Sequence, residues 1–158
     1  MAFATYEDAA KNFRRFVGDL PQLNELDQRI ESSDEEMIDY IKDTLNDINI
    51  AYEPKTHWQL KDILVEPGEN CRVPWNVVKT GALLQLLTAK GVLDARNYLT
   101  YSDAGGVTVT NHDRWGRYIN YFNVLVNKYV NGVRTIKIRE NVELCYGGLG
   151  SPLGFDYY

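Results

Sequence analysis

A small bundle of α-helices is expected of this chain, on three counts. Between residues 34 and 50 the apolar side chains Met37, Ile41, Leu45 and Ile48 recur every three to four positions, which is the period of one helix face. Residues 74–90 are apolar nearly all round, as in a helix buried inside a bundle. From His112 a third periodic series runs through Trp115, Ile119, Phe122, Val126 and Tyr129 or Val130. Strand-like alternation is confined to Val107–Thr110, so a mainly α fold follows, with a short extended segment or hairpin before the last long helix. The 158 residues fit one domain, expected over 1–145, with an irregular tail over 146–158.

The elements follow in chain order. Thr5 can cap a first helix whose apolar face is Ala9, Ala10, Phe13 and Phe16, and Asp8 suits its positive end. Gly18 and Pro21 end it, and 19–33 reads as a connection with one or two helical turns. Ser33-Asp34-Glu35-Glu36 is a capping box for the second helix. Asp39, Asp43 and Asp47, with Glu35 one turn earlier, line another face of that helix at i, i+4 spacing. A metal site is a poor reading of this row. Each carboxylate stands about 5.4 Å along the axis from the last, and no histidine is near in sequence. The row reads as a solvated or partner-facing acidic stripe.

Glu53-Pro54 closes the second helix, and Thr56 is placed to cap a short helix near 57–65. Glu66–Arg72 contains a Pro-Gly turn signal. Pro74 suits the first turn of the buried helix, and Gly91 suits the left-handed position after its end. Gly81 and Ala82 would let another helix approach its middle closely. A short helix or turn holding Leu93, Ala95, Tyr98 and Leu99 follows. Gly105-Gly106 then leads through Val107–Thr110 to Asn111, a good N-cap for the last helix. Asn131-Gly132 can stop that helix. Continuation to about Arg139 is the favoured reading, because Val133 and Ile136 keep the stripe and an internal glycine costs only about 1 kcal/mol. From Tyr146 onward five of thirteen residues are glycine or proline, so the tail is irregular. It also carries Tyr146, Leu149, Leu153, Phe155, Tyr157 and Tyr158, too apolar for a segment that lives in water. Its resting surface is either its own domain or another protein.

Charge is unevenly spread. The net charge is −5, yet residues 1–50 hold twelve acids against five bases, a balance of −7, and the remainder carries +2. Between Asp113 and Glu140 no acid occurs, while Arg114, Arg117, Lys128, Arg134, Lys137 and Arg139 do. The acidic part of one copy can thus meet the basic helix of another. No apolar run reaches the ~18 residues of a membrane span, and the first residues lack the pattern of a secretory signal. Cys71 and Cys145 are expected as unpaired thiols, and with only His57 and His112 besides, no metal or other cofactor is expected.

Catalytic grammar is missing. Gly105-Gly106 is followed by no G-K-[ST] and sits in no G-x-G-x-x-G, so neither phosphate-binding fingerprint is present. Gly148-Leu149-Gly150-Ser151 lacks the strand and helix of a nucleophile elbow. A non-enzymatic protein is expected. Basic residues interleaved with Tyr118, Tyr121, Phe122 and Tyr129 make a helical DNA-binding accessory factor the alternative of a different class. Against it stand the acidic total and the placing of several of these aromatics in the core stripe.

The order of these elements, with Tyr101-Ser102-Asp103-Ala104-Gly105-Gly106-Val107-Thr108-Val109 leading into a long helix, resembles the adaptor or head–tail connector proteins in the neck of tailed bacteriophages. The resemblance covers about residues 33–145, and the Gly105–Val109 element is its most specific part. The first thirty residues and the final tail have no counterpart in it. It implies a helical bundle that assembles as a ring, commonly dodecameric, beneath the portal. Such a ring lengthens the DNA channel without reading its sequence and offers a docking surface to the tail or a stopper protein. A virion location, after assembly in the host cytoplasm, follows from the same resemblance. A tail or baseplate component is the alternative within a virion. Ring contacts are heterologous, so unlike patches of one chain must match. On this reading Arg114, Arg117, Arg134 and Lys137 pair with Glu36, Asp39 or Asp43 of a neighbour, and the apolar tail residues anchor to a partner.

Overall fold

The computed structural model describes residues 3–19, 30, 32–64, 72–96, 101–102, 108–109 and 113–146. It is mainly α-helical. Four helices carry the fold: α1 (Tyr6–Val17), α2 (Asp34–Ile50), α3 (Trp75–Arg96) and α4 (Asp113–Tyr146). Two minimal strand pairs accompany them. β1 (Ile63–Leu64) runs parallel to β2 (Val73–Pro74), and β3 (Tyr101–Ser102) runs antiparallel to β4 (Thr108–Val109) with Tyr101 opposite Val109. Helix α3 packs on α2 and on α4, while α1 packs on α2.

The caps expected from the sequence are formed. The Thr5 hydroxyl accepts from the Asp8 amide at 3.2 Å, and Gly18 adopts φ 79°, its amide closing α1 on the Arg14 carbonyl. At α2, Ser33 Oγ accepts from the Glu36 amide at 3.1 Å, and the Glu36 carboxylate accepts from the Ser33 amide at 2.9 Å. Two otherwise unsatisfied donors are thus paired reciprocally. Met37, Ile41, Leu45 and Ile48 are all buried, with Ala9, Ala10 and Phe13 of α1 against them in one core. Phe16 lies at the edge of that core, 45% exposed and stacked on Phe13 at 6.5 Å.

Helix α3 is the buried one, with Trp75, Val78, Ala82, Leu83, Leu84 and Leu86 inside. A Cβ on Gly81 would stand 2.4 Å from Thr44 Cγ2 of α2 and 2.6 Å from Tyr129 Cε2 of α4. No side chain fits there, so the glycine sets how closely three helices meet. On α4 a Cβ at Gly132 would lie 3.0 Å from Val77 Cγ2 of α3, a tight contact with a single side chain. The α4 helix accordingly runs straight through Asn131-Gly132, and it continues past Arg139 to Tyr146.

Four expectations are corrected. No α-helix forms near 57–65. A 3-10 turn at Leu60–Asp62 leads into β1 instead, and Thr56 turns its hydroxyl to Asn49 Oδ1 at 2.9 Å rather than capping a helix. Gly91 does not end α3, which proceeds to Arg96. Leucine, alanine and arginine at 93, 95 and 96 are strong helix formers, enough to offset the cost of one glycine. Of the expected α4 stripe, Phe122, Val126, Tyr129, Val133 and Ile136 pack in or against the core, while Ile119 and Val130 lie outside it, 48% and 40% exposed, and Leu125 is buried in addition. Tyr146 is the last residue of α4 and not the first of the tail. Helix α3 begins at Trp75, one residue after Pro74. The connection 20–29, the Gly105-Gly106 element, Asn111 and residues 147–158 lie outside the described residues.

Gly81→Ala should lower stability by about 1–2 kcal/mol, because overpacking outweighs the helix-propensity gain of alanine. Adding Thr44→Ser, which removes the obstructing methyl, should return part of the loss. Urea unfolding of the single and double variants measures both; an unchanged or raised midpoint for Gly81→Ala contradicts the close crossing.

Candidate functional site

Three constellations stand out, and none was assembled by sequence pattern alone. The first surrounds Lys137. Its side chain is 1% exposed, and its ammonium donates to the carbonyls of Asn49 at 3.2 Å and Pro54 at 2.9 Å and to Thr56 Oγ1 at 2.8 Å. All three donors of the ammonium are therefore used. The nitrogen also stands 4.8 Å from the centre of the Trp58 ring, a cation–π contact. No carboxylate among the described residues lies within ion-pair distance of it. Burial holds its pKa below the usual 10.5 and the nearby Lys55 lowers it further, while Glu140 and Glu53 pull the other way.

Asn49 organises the same corner. Its amide oxygen accepts from the Thr56 hydroxyl and from the Trp58 amide, both at 2.9 Å, and its amide nitrogen donates to the Trp58 carbonyl at 3.0 Å. Asn141 donates to the Glu53 carbonyl at 3.0 Å, and Lys55 donates to the Ile50 carbonyl. The end of α2 and the 51–58 segment are thus lashed to α4. Lys137 is consequently not an interface residue: its charge is consumed inside its own fold, and the expected pairing with a neighbour's acid is overturned. Helical spacing gave the residue a place on a basic helix but no indication of which face would be covered.

The second constellation is Arg14, also buried. Its guanidinium donates to Asp19 at 2.8 Å, to Asp34 at 2.8 Å and to the Ser32 carbonyl at 2.7 Å, and Asp19 in turn accepts from the Ser32 amide. The network ties the end of α1 to the start of α2, so it is structural. Trp75 adds a further tie, donating from Nε1 to Asn12 at 2.9 Å.

The third is a cleft of about 640 Å³ bounded by α2, α3 and α4. Gly81, Leu84, Ala89 and the Tyr129 ring make its walls, and Gln85 donates to Asp47 at 3.2 Å on its rim. The Tyr129 hydroxyl has no hydrogen-bond partner among the described residues. Burial first, then the charge of Asp47, raises its pKa above the ordinary tyrosine range, so the phenol remains a donor at all working pH.

The expected interface residues fall into distinct environments. Glu36, Asp39 and Asp43 are exposed on α2. Glu36 is engaged in the capping box, and Asp39 stands 3.7 Å from Lys42, an exposed pair of small energetic weight. Arg134 is exposed on α4, and Arg139 donates to the Arg72 carbonyl at 2.7 Å and stands 3.7 Å from Glu143. Arg114, Arg117 and Tyr146 lie on α4, their side chains outside the described set, as are Leu149, Leu153, Phe155, Tyr157 and Tyr158 altogether. Cys145 is an exposed free thiol and His57 is exposed, while Cys71 and His112 lie outside the described residues. Among the described residues no cluster could hold a metal ion, and no helix is long and apolar enough to cross a membrane. Comparison of the chain with known protein families, curated proteins and solved structures returns no match.

Lys137→Met should cost about 1–3 kcal/mol, since charge-assisted hydrogen bonds are lost and the Pro54 carbonyl loses its donor. The pH dependence has a definite sign. A lowered pKa in the fold means the unfolded chain holds this proton more tightly between that pKa and 10.5. Wild-type stability should therefore gain on the methionine variant as pH rises toward 10.5. Denaturant titrations at a series of alkaline pH values would show it, and a gap that narrows contradicts the environment described.

Proposed function

We propose that this chain is a virion structural protein, a neck adaptor that forms a ring between portal and tail. The observation that carries the reading is the overhang of α4. Its 34 residues span about 51 Å at 1.5 Å per residue, against about 33 Å for the 22 residues of α3 on which it packs. Alongside its buried stripe it exposes Tyr121 and Val124 (64% exposed), and past Ile136 it exposes Val142 and Leu144 (65% exposed). Apolar side chains on a helix that outgrows its own bundle favour burial against other chains.

Charge supports the same reading. The outer face of α2 exposes Glu35, Glu36, Asp39 and Asp43, and α4 exposes Lys128 and Arg134. Patches of opposite sign on different helices suit a head-to-tail contact, which closes into a ring when the rotation between copies divides a circle. No chemistry is assigned to the chain on this reading; its work is fitting against copies of itself, the portal and a tail or stopper protein, with DNA passing through the channel unread.

Ending the chain at Cys145 removes the apolar tail and leaves the core residues in place. The truncated protein should retain the helical circular dichroism and unfolding midpoint of the full chain yet fail to enter particles in an assembly reaction. Normal incorporation contradicts the tail's anchoring role. The DNA-binding alternative is separated by a salt series: retention on duplex DNA that falls steeply with salt, in the absence of other virion proteins, would favour it over the adaptor.

A further inference from the structure

We infer that Tyr52 of one copy seats in a hollow beside Gly132 on the next, joining copies head to tail. This rests on the reading that copies of the chain associate, and it names the contact. Tyr52 stands at φ 56°, a left-handed conformation that a bulky residue adopts only under constraint, and it is 49% exposed. Ile50, two residues before it, is 65% exposed. The constraint is visible. Lys137 holds the carbonyls of Asn49 and Pro54, Asn141 holds that of Glu53, and Lys55 holds that of Ile50. A loop so fixed has little order left to lose on binding, and a tyrosine presented that way suits the anchor of a protein contact.

The complementary feature is a hollow of about 340 Å³ between α3 and α4, lined by Val77, Gly132 and Ile136, with Thr135 and Arg139 at its edge. That is the low end of ligand-sized sites, so one phenol ring can enter. Thr135 Oγ1, which donates to the Asn131 carbonyl at 2.8 Å, can still accept from the phenol. Successive residues turn about 100° round a helix, so Gly132 and Arg139 lie about 140° and 160° from Lys137. The loop and the hollow therefore occupy nearly opposite flanks of α4, and no chain can fill its own. A contact between unlike patches of this kind runs from copy to copy. Charge matches as well. Asp43, Asp47 and Glu53 are exposed along the end of α2 and its loop, where Lys55 is the one Lys or Arg between residues 43 and 58. Arg72, Lys128 and Arg139 are exposed around the hollow.

Sedimentation of the full chain over a range of concentrations tests this. The wild type should self-associate. Tyr52→Asn should weaken the association at least about tenfold, since a tyrosine anchor carries a large share of binding. Asparagine tolerates the left-handed conformation, so the urea midpoint should hold or rise, which separates lost association from lost folding. Thr135→Trp, which fills the hollow, should weaken association as well. Each variant keeps the half of the contact that the other lacks, so an equimolar mixture should restore a complex that stops at two chains. A wild type that stays monomeric up to about millimolar concentration overturns the inference. Association that survives Tyr52→Asn overturns it too, and that variant decides the matter if Thr135→Trp fails to fold. A mixture of the two folded variants that remains monomeric also overturns it. Incorporation into particles, by which the ring proposal is judged, is a separate measurement and can succeed where each of these fails.

Discussion

Where a side chain on Gly81 would begin, a methyl of Thr44 and the ring of Tyr129 already stand. That single vacancy lets α2 and α4 close on α3 at one point, and much of the molecule is a consequence of it. With the three axes so near, Met37, Ile41 and Ile48 are sealed from water. Eight residues on from Tyr129, about 12 Å along α4, Lys137 arrives beside the end of α2. Gly132 against Val77 keeps the two longer helices in contact over that interval. Small residues here act through what they admit, and the energy comes from the apolar surface that the approach removes from water.

Lys137 shows how such an approach spends a charge. A lysine in the interior is costly unless its donors are met. Here two carbonyls, a hydroxyl and an indole face meet them, and all four belong to the stretch 49–58. That stretch has little regular structure to hold it. Asn49 and Lys137 supply what a helix or sheet would otherwise have supplied, satisfying its backbone groups and fixing its position. Arg14 performs the corresponding task between α1 and α2 through Asp19 and Asp34. Both buried cations are therefore anchors of connections.

What could be read from the residues was whatever depends on near neighbours in the chain. The Thr5 cap, the Ser33–Glu36 box, the α2 stripe, the close approach at Gly81 and the passage of α4 through Gly132 all follow from local chemistry and periodicity. What escaped depends on distant partners. Thr56 has the makings of an N-cap, but Asn49 and Lys137 outbid the local helix for its hydroxyl. Ile119 continues the α4 stripe in sequence yet stands 48% exposed, because which positions of a stripe are covered is decided by distant elements. Lys137 sits among bases destined for a surface and is drawn inside only because α2 ends opposite it. The cleft beside Tyr129 has no signature in the sequence, being made by three helices at once.

On the proposed reading, the acidic face of α2, the bases of α4 and the exposed apolar residues of α4 serve contacts with other proteins. Imaging the assembled particle by electron cryomicroscopy tests that account most directly. The account predicts a closed ring at the neck in which the Asp39–Asp43 face of each α2 lies against the Arg134 face of the next copy's α4. Particles that assemble without this chain, or a ring joined through faces that leave both charged surfaces in solvent, would contradict it.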